Sequence, residues 1–192
     1  MKIIFWASIT VILYTYIGYP LLIYFLSSFY KKPVRGKYIY PTVSILVAAY
    51  NEEVRIENKI KTLLELNYPD ERIEILIGSD GSTDKTEEIV SRYANEKLKL
   101  FNLPQRQGKP SVLNMLVPYA KGELLVFTDA RQILDRNSLK ELVKSFCDPK
   151  VGSASGALFY VNENESKQGT GLGLYWEYEK FIRKAESRMG SM

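Results

Sequence analysis

Residues 73–84 read IEILIGSDGSTD, and residues 123–131 read ELLVFTDAR. In each stretch an apolar run with strand character ends on an acid, Asp80 in the first and Asp129 in the second. A carboxylate at the exposed end of a buried strand has to meet solvent, a cation or a ligand. In open α/β sheets the loops that leave the carboxyl ends of parallel strands line the binding crevice. The two acids therefore point to a pocket for a polar small molecule, and their separation of about fifty residues predicts that neighbouring strands feed it.

Working outward, apolar runs alternate with amphipathic stretches, the pattern of βα units around a mostly parallel sheet. Strands are expected over 42–48 (TVSILVA), 73–78, 98–102 and 123–128. Between them, 52–66 carries Ile56, Ile60, Leu63 and Leu64 at helical spacing and stops at Asn67-Tyr68-Pro69. Further helices are expected from Ser82 or Thr83 to about Ala94, over 109–120 and over 137–146. Val151–Tyr160 reads as a strand of small residues, and Leu172–Arg188 as an aromatic-rich last helix with Leu174, Tyr178, Phe181 and Ile182 on one face.

The inventory excludes several chemistries. The chain of 192 residues has a single cysteine and no histidine, which removes disulfide frameworks, Cys/His zinc sites, histidine bases and Ser-His-Asp triads. Carboxylates must carry any acid–base work. Of the net charge of +4, residues 1–40 hold five cations (Lys2, Lys31, Lys32, Arg35 and Lys37) and no acid, which leaves −1 for residues 41–192. A nucleic-acid binder would need a basic stripe on its folded part, so no nucleic acid is expected as a partner.

No charged side chain stands between Ile3 and Tyr30, and about twenty apolar residues suffice to cross a bilayer. Residues 1–30 are expected to be a transmembrane helix in contact with membrane lipid, with Phe5, Trp6, Tyr24, Phe29 and Tyr30 toward its ends and Gly18 and Pro20 as sites of a kink. The alternative, a cleaved leader, would have a shorter apolar run and a small-residue cleavage site. Residues 31–40 form a basic linker, and by the positive-inside rule the rest faces the cytoplasm from the inner membrane.

The turn after the first expected strand, AAYNEE, lacks the glycines of a dinucleotide fold, and no P-loop is present. Instead PTVSILVAAYNEE, ILIGSDGSTDKT and GKPSVLNMLVPYAKGELLVFTDA, in this order over residues 41 to about 160, resemble the nucleotide-sugar half of glycosyltransferase family 2. The anchor, VGSASGAL and GLYWEYEKFIRKAESRMGS are similar to its membrane-bound polysaccharide synthases. The resemblance implies a nucleotide-diphospho-sugar transferase fold of GT-A type in residues 41–192, incomplete at the C-terminal side. It implies a transferase whose partners are a nucleotide-diphosphate sugar, a UDP-sugar by expectation, and a glycan or polysaccharide acceptor.

Residue by residue, the resemblance assigns the Ala49 backbone and Glu52 to the base and ribose, and gives Asp80 a hydrogen bond from a uracil N–H or ribose hydroxyl. The alternative for Asp80 is a turn residue, and Asp84 reads as a helix-start residue. Lys109 matches a lysine near the diphosphate, against the alternative of a solvated helix-start lysine. Asp129 matches the first acid of the D-x-D element that holds ribose and metal-bound diphosphate, and so is the expected ligand of Mg²⁺ or Mn²⁺. The element here is Asp129-Ala130-Arg131, without its second acid; Arg131 could grip phosphate or be a surface residue. The family's E-D base and Q-x-x-R-W element lie downstream of the Gly-Ser stretch that Met192 closes. The catalytic base is therefore expected beyond Met192, and donor binding without turnover is expected of residues 1–192. A C-terminal half or a synthase partner chain would complete the enzyme. The competing expectation is a non-catalytic, membrane-tethered partner that keeps the fold.

Overall fold

The computed structural model describes residues 1–29, 38–156 and 170–189. Along the chain run α1 (Lys2–Leu13), α2 (Tyr19–Phe29), β1 (Val43–Ala49), α3 (Ile56–Leu64), β2 (Ile73–Ser79), α4 (Thr86–Tyr93), β3 (Leu98–Asn102), α5 (Lys109–Leu116), β4 (Leu124–Asp129), α6 (Ser138–Val143) and α7 (Thr170–Met189). They fall into two compact units. One holds α1, α2 and α7, and the other holds everything from β1 to α6.

In the first unit, α1 and α2 make one apolar helix of 28 residues, long enough to cross a membrane by length and composition. A π-helical turn, Tyr14–Gly18, joins the two. Pro20 follows it and has no N–H to give the Tyr16 carbonyl four residues back. That acceptor is used from outside the helix: the Tyr178 hydroxyl of α7 donates to it at 2.8 Å. The Tyr24 and Phe181 rings stack at 5.6 Å, and the Tyr19 hydroxyl donates to Glu186. The expected kink is thus a change of helical pitch, and the aromatic face of α7 meets α2.

In the second unit four parallel strands stand in the order β3-β2-β1-β4. Alternation sends Ile45 and Val47 of β1 to one face, where Ile56, Ile60 and Leu63 of α3, Val90 of α4 and Leu139 and Val143 of α6 close the main core. Leu46 and Leu76 face the other way and are covered by Val112 and Leu116 of α5. Each of these aliphatic side chains contributes roughly 1.5–3 kcal/mol by leaving water. Gly78 lets α5 sit this low on β2, because a Cβ there would stand 2.3 Å from Val112.

Three expectations are corrected. Asp80 and Asp129 are not on neighbouring strands, since β1 lies between β2 and β4. The first helix of the sheet unit starts at Ile56 and not at Glu52, because residues 51–53 are drawn to the β2–α4 loop. Val151–Gly156 forms no strand; this run of small residues has little side chain to bury, and the remainder of that expected strand, 157–160, lies outside the described residues. So do 31–37 of the linker and Met192, the point past which the catalytic base is expected. Tyr38 and Tyr40 belong to the sheet unit: the Tyr38 hydroxyl donates to Glu141 at 2.9 Å, and the Tyr40 carbonyl accepts from Arg72 at 2.6 Å.

Candidate functional site at the carboxyl ends of the strands

The loops that follow β1 and β2 are laced together. Asn51, held at φ 51°, accepts the Thr83 amide on its side-chain oxygen at 2.9 Å. The Glu52 amide donates to the Thr86 hydroxyl at 2.8 Å, and the Glu53 amide to Asp84 at 3.0 Å. Asp84 also accepts the Thr86 amide at 2.9 Å. Partial burial pushes the Asp84 carboxyl up, but the Thr86 and Glu53 hydrogen bonds outweigh it and hold the pKa below its ordinary value. Asp84 is thus a structural residue at the start of α4, as its position in the motif led one to expect.

Asp80 is buried, and its carboxylate accepts the Gln107 amide at 2.7 Å and the Gly108 amide at 2.9 Å. Its own amide donates to the Ala49 carbonyl at 2.9 Å. Gly81 makes the turn possible: it has φ +65°, and a Cβ would lie 2.7 Å from the Gln105 backbone. The carboxylate therefore fixes the loop that delivers Lys109, while four lone-pair sites leave it capacity for one more donor. Arg106 of that loop lies over the Tyr50 ring at 4.3 Å from its centre.

Lys109, first residue of α5, pairs with Asp129. The two acids, on strands flanking β1, thus converge on one segment, Gln107–Lys109. Both partners of the Lys109–Asp129 pair are about half exposed, at 53% and 44%, so the pair contributes little and is cheap to open. Glu52 differs: its side chain is 7% exposed and takes Arg131 Nε at 2.6 Å, with Arg55 more distant at 3.5 Å. All six expected residues (Ala49, Glu52, Asp80, Lys109, Asp129 and Arg131) stand at the carboxyl edge of the sheet. An open cleft lined by Gly81, Ser82, Thr83, Glu87, Asn102, Leu103 and Pro104 lies beside them and includes none of them.

Three residues escaped sequence reasoning. Lys59 of α3 is fully buried, and its ammonium donates to the Thr128 hydroxyl at 2.8 Å and the Gln132 carbonyl at 2.6 Å. Burial pulls its pKa down to about 8, against the opposing pull of Asp129. Gln132 accepts the Asp129 amide on its side chain at 3.2 Å. The signal was present: Lys59 stands with Ile56, Ile60 and Leu63 on the apolar stripe of α3, where a lysine has no solvent to reach.

Among the described residues no group of three or more acids and cysteines is gathered as a metal site. Asp129 is the carboxylate that fits a divalent cation, since Mg²⁺ is commonly held by one or two carboxylates with substrate phosphates completing its shell. Its partial exposure and its easily opened partner leave it accessible.

Residues 44–190 match the family described as Glycosyl transferase family 2. A beta-monoglucosyldiacylglycerol synthase of Nostoc sp. is 36% identical over 141 residues, 71% of this chain and 30% of that protein. A poly-beta-1,6-N-acetyl-D-glucosamine synthase of Staphylococcus epidermidis is 32% identical over 116 residues, 59% of this chain and 28% of that protein. The chain spans about 30% of the length of these relatives. Among solved structures, the mannosyltransferase PcManGT of Pyrobaculum calidifontis, in complex with GDP-Man and Mn²⁺, superposes with a TM-score of 0.69 at 30% identity, over 91% of this chain and 49% of that one. TarS 1–349 of S. aureus with UDP-GlcNAc superposes with a TM-score of 0.52 at 30% identity, over 57% of this chain and 32% of that one.

Proposed function

Since the chain belongs to glycosyltransferase family 2 and has its GT-A-type parallel sheet, we propose that it is the donor-binding part of a membrane-anchored glycosyltransferase that takes a sugar from a UDP-sugar to a glycan or polysaccharide acceptor. The observation that carries this reading is the convergence of Asp80 and Asp129 on the Gln107–Lys109 segment at the carboxyl edge of the sheet, with Arg131 and Glu52 beside them. Asp80 accepts a hydrogen bond from the nucleoside through its remaining lone pair, and the Ala49 backbone and Glu52 border the base and ribose. Lys109 and Arg131 take the diphosphate, exchanging a carboxylate partner for phosphate oxygens at little cost in the exposed pair. Asp129, released by Lys109, would hold Mg²⁺ or Mn²⁺, which when bound neutralises charge on the leaving diphosphate.

The span 1–30 anchors the chain, and its basic flank faces the sheet unit to the cytoplasm. The test is titration calorimetry with UDP and a UDP-sugar, with and without Mg²⁺ or Mn²⁺. Micromolar to millimolar binding is expected, weakened at least tenfold by Asp129→Ala or Lys109→Ala and weakened by a chelator. Affinity unchanged by these substitutions would refute the donor site, and affinity indifferent to chelation would refute the metal assignment.

A further inference from the structure

Lys59 is the one fully buried cation among the described residues, at 1% exposure. Taking an ammonium out of water costs several kcal/mol unless its hydrogens are well used, and a lysine ordinarily avoids this by extending its head to solvent. Here the head points inward under β4. Its two acceptors, the Thr128 hydroxyl and the Gln132 carbonyl, bracket the turn Asp129-Ala130-Arg131. Gln132 closes the same turn: its amide donates to the Asp129 carbonyl at 3.1 Å, and its side-chain oxygen accepts the Asp129 amide at 3.2 Å and the Thr128 hydroxyl at 3.3 Å. Strand alternation puts Thr128 on the α3 face and Asp129 on the opposite face. The ammonium thus grips the turn from behind while Asp129 and Arg131 face the site.

We propose that Lys59 is a positioning residue: a buried ammonium that fixes the turn carrying Asp129 and Arg131 and so sets these two side chains for the diphosphate. The proposal rests on the donor-site reading above, and two measurements keep the two ideas apart. The first needs no ligand. In Lys59→Met, which keeps the length and packing of the stem, amide hydrogen exchange at Asp129 and Gln132 is expected to speed at least tenfold while β2 amides stay unchanged. The second compares UDP with uridine by calorimetry: Lys59→Met is expected to lose at least tenfold in UDP affinity and nothing for uridine, and Lys59→Arg to recover part of the loss.

Should Lys59→Met fail to fold, Thr128→Val removes one acceptor at constant shape and is expected to shift both readouts the same way by a smaller factor. Unchanged exchange at the turn would overturn the proposal, as would faster exchange with UDP affinity intact. A wild-type chain that binds neither UDP nor uridine would instead overturn the donor reading, and the exchange comparison would still decide what Lys59 holds.

Discussion

A lysine whose ammonium is enclosed works against folding as long as it is charged. With its pKa drawn down to about 8 from 10.5, the unfolded chain holds the extra proton between these values, so stability rises as pH climbs through that window. The expected gain is on the order of 2 kcal/mol between pH 8 and 9.5, read from chemical denaturation at each pH. Lys59→Met should remove the rise and be at least as stable as wild type at pH 7, because an apolar isostere has no charge to desolvate. A flat profile in the wild type would mean that the ammonium is better solvated than its burial implies. Stability and donor positioning then pull in opposite directions at this one residue. Asp80 and Asp129 were legible in sequence because each ends an apolar run. Lys59 is less legible, because apolar periodicity defines the helix without the lysine that stands in the same buried stripe.

At the scale of elements, the four strands of the sheet were legible almost to the residue, since a run such as ILIGS buried on both faces has no other place to go. What could not be read was their lateral order. Periodicity says nothing about which strand lies beside which, so the separation of Asp80 and Asp129 by β1 came only from the structure. The start of α3 was misplaced for a related reason: Asn51, Glu52 and Glu53 are spent on partners more than thirty residues away, and local propensity does not see them. That lacing sets an expectation for Asp84→Ala. It removes the acceptor for the Thr86 and Glu53 amides and should cost about 1–2 kcal/mol of stability, measured as a lowered urea midpoint with an unchanged slope. No change in midpoint would mean that the two loops hold each other without it.

For the whole molecule, the charge is uneven and the helix Lys2–Phe29 is long and apolar enough to cross a bilayer. If residues 1–30 span the membrane, the expressed protein should stay with the membrane fraction through an alkaline carbonate wash, and deletion of residues 2–29 should release it. Recovery of the full chain in the wash supernatant would sink the anchor. The outer side of β4 bears on what the sheet unit can join. No strand pairs with it among the described residues, and Leu125 and Phe127 on the α5 face of the sheet are 38% and 53% exposed. Any segment that pairs with that rim, from this polypeptide or another, would lie about 4.8 Å from β4 and have one of its ends next to Asp129. Under the proposed donor reading, whatever completes the sheet would therefore also add a wall to the space beside Asp129.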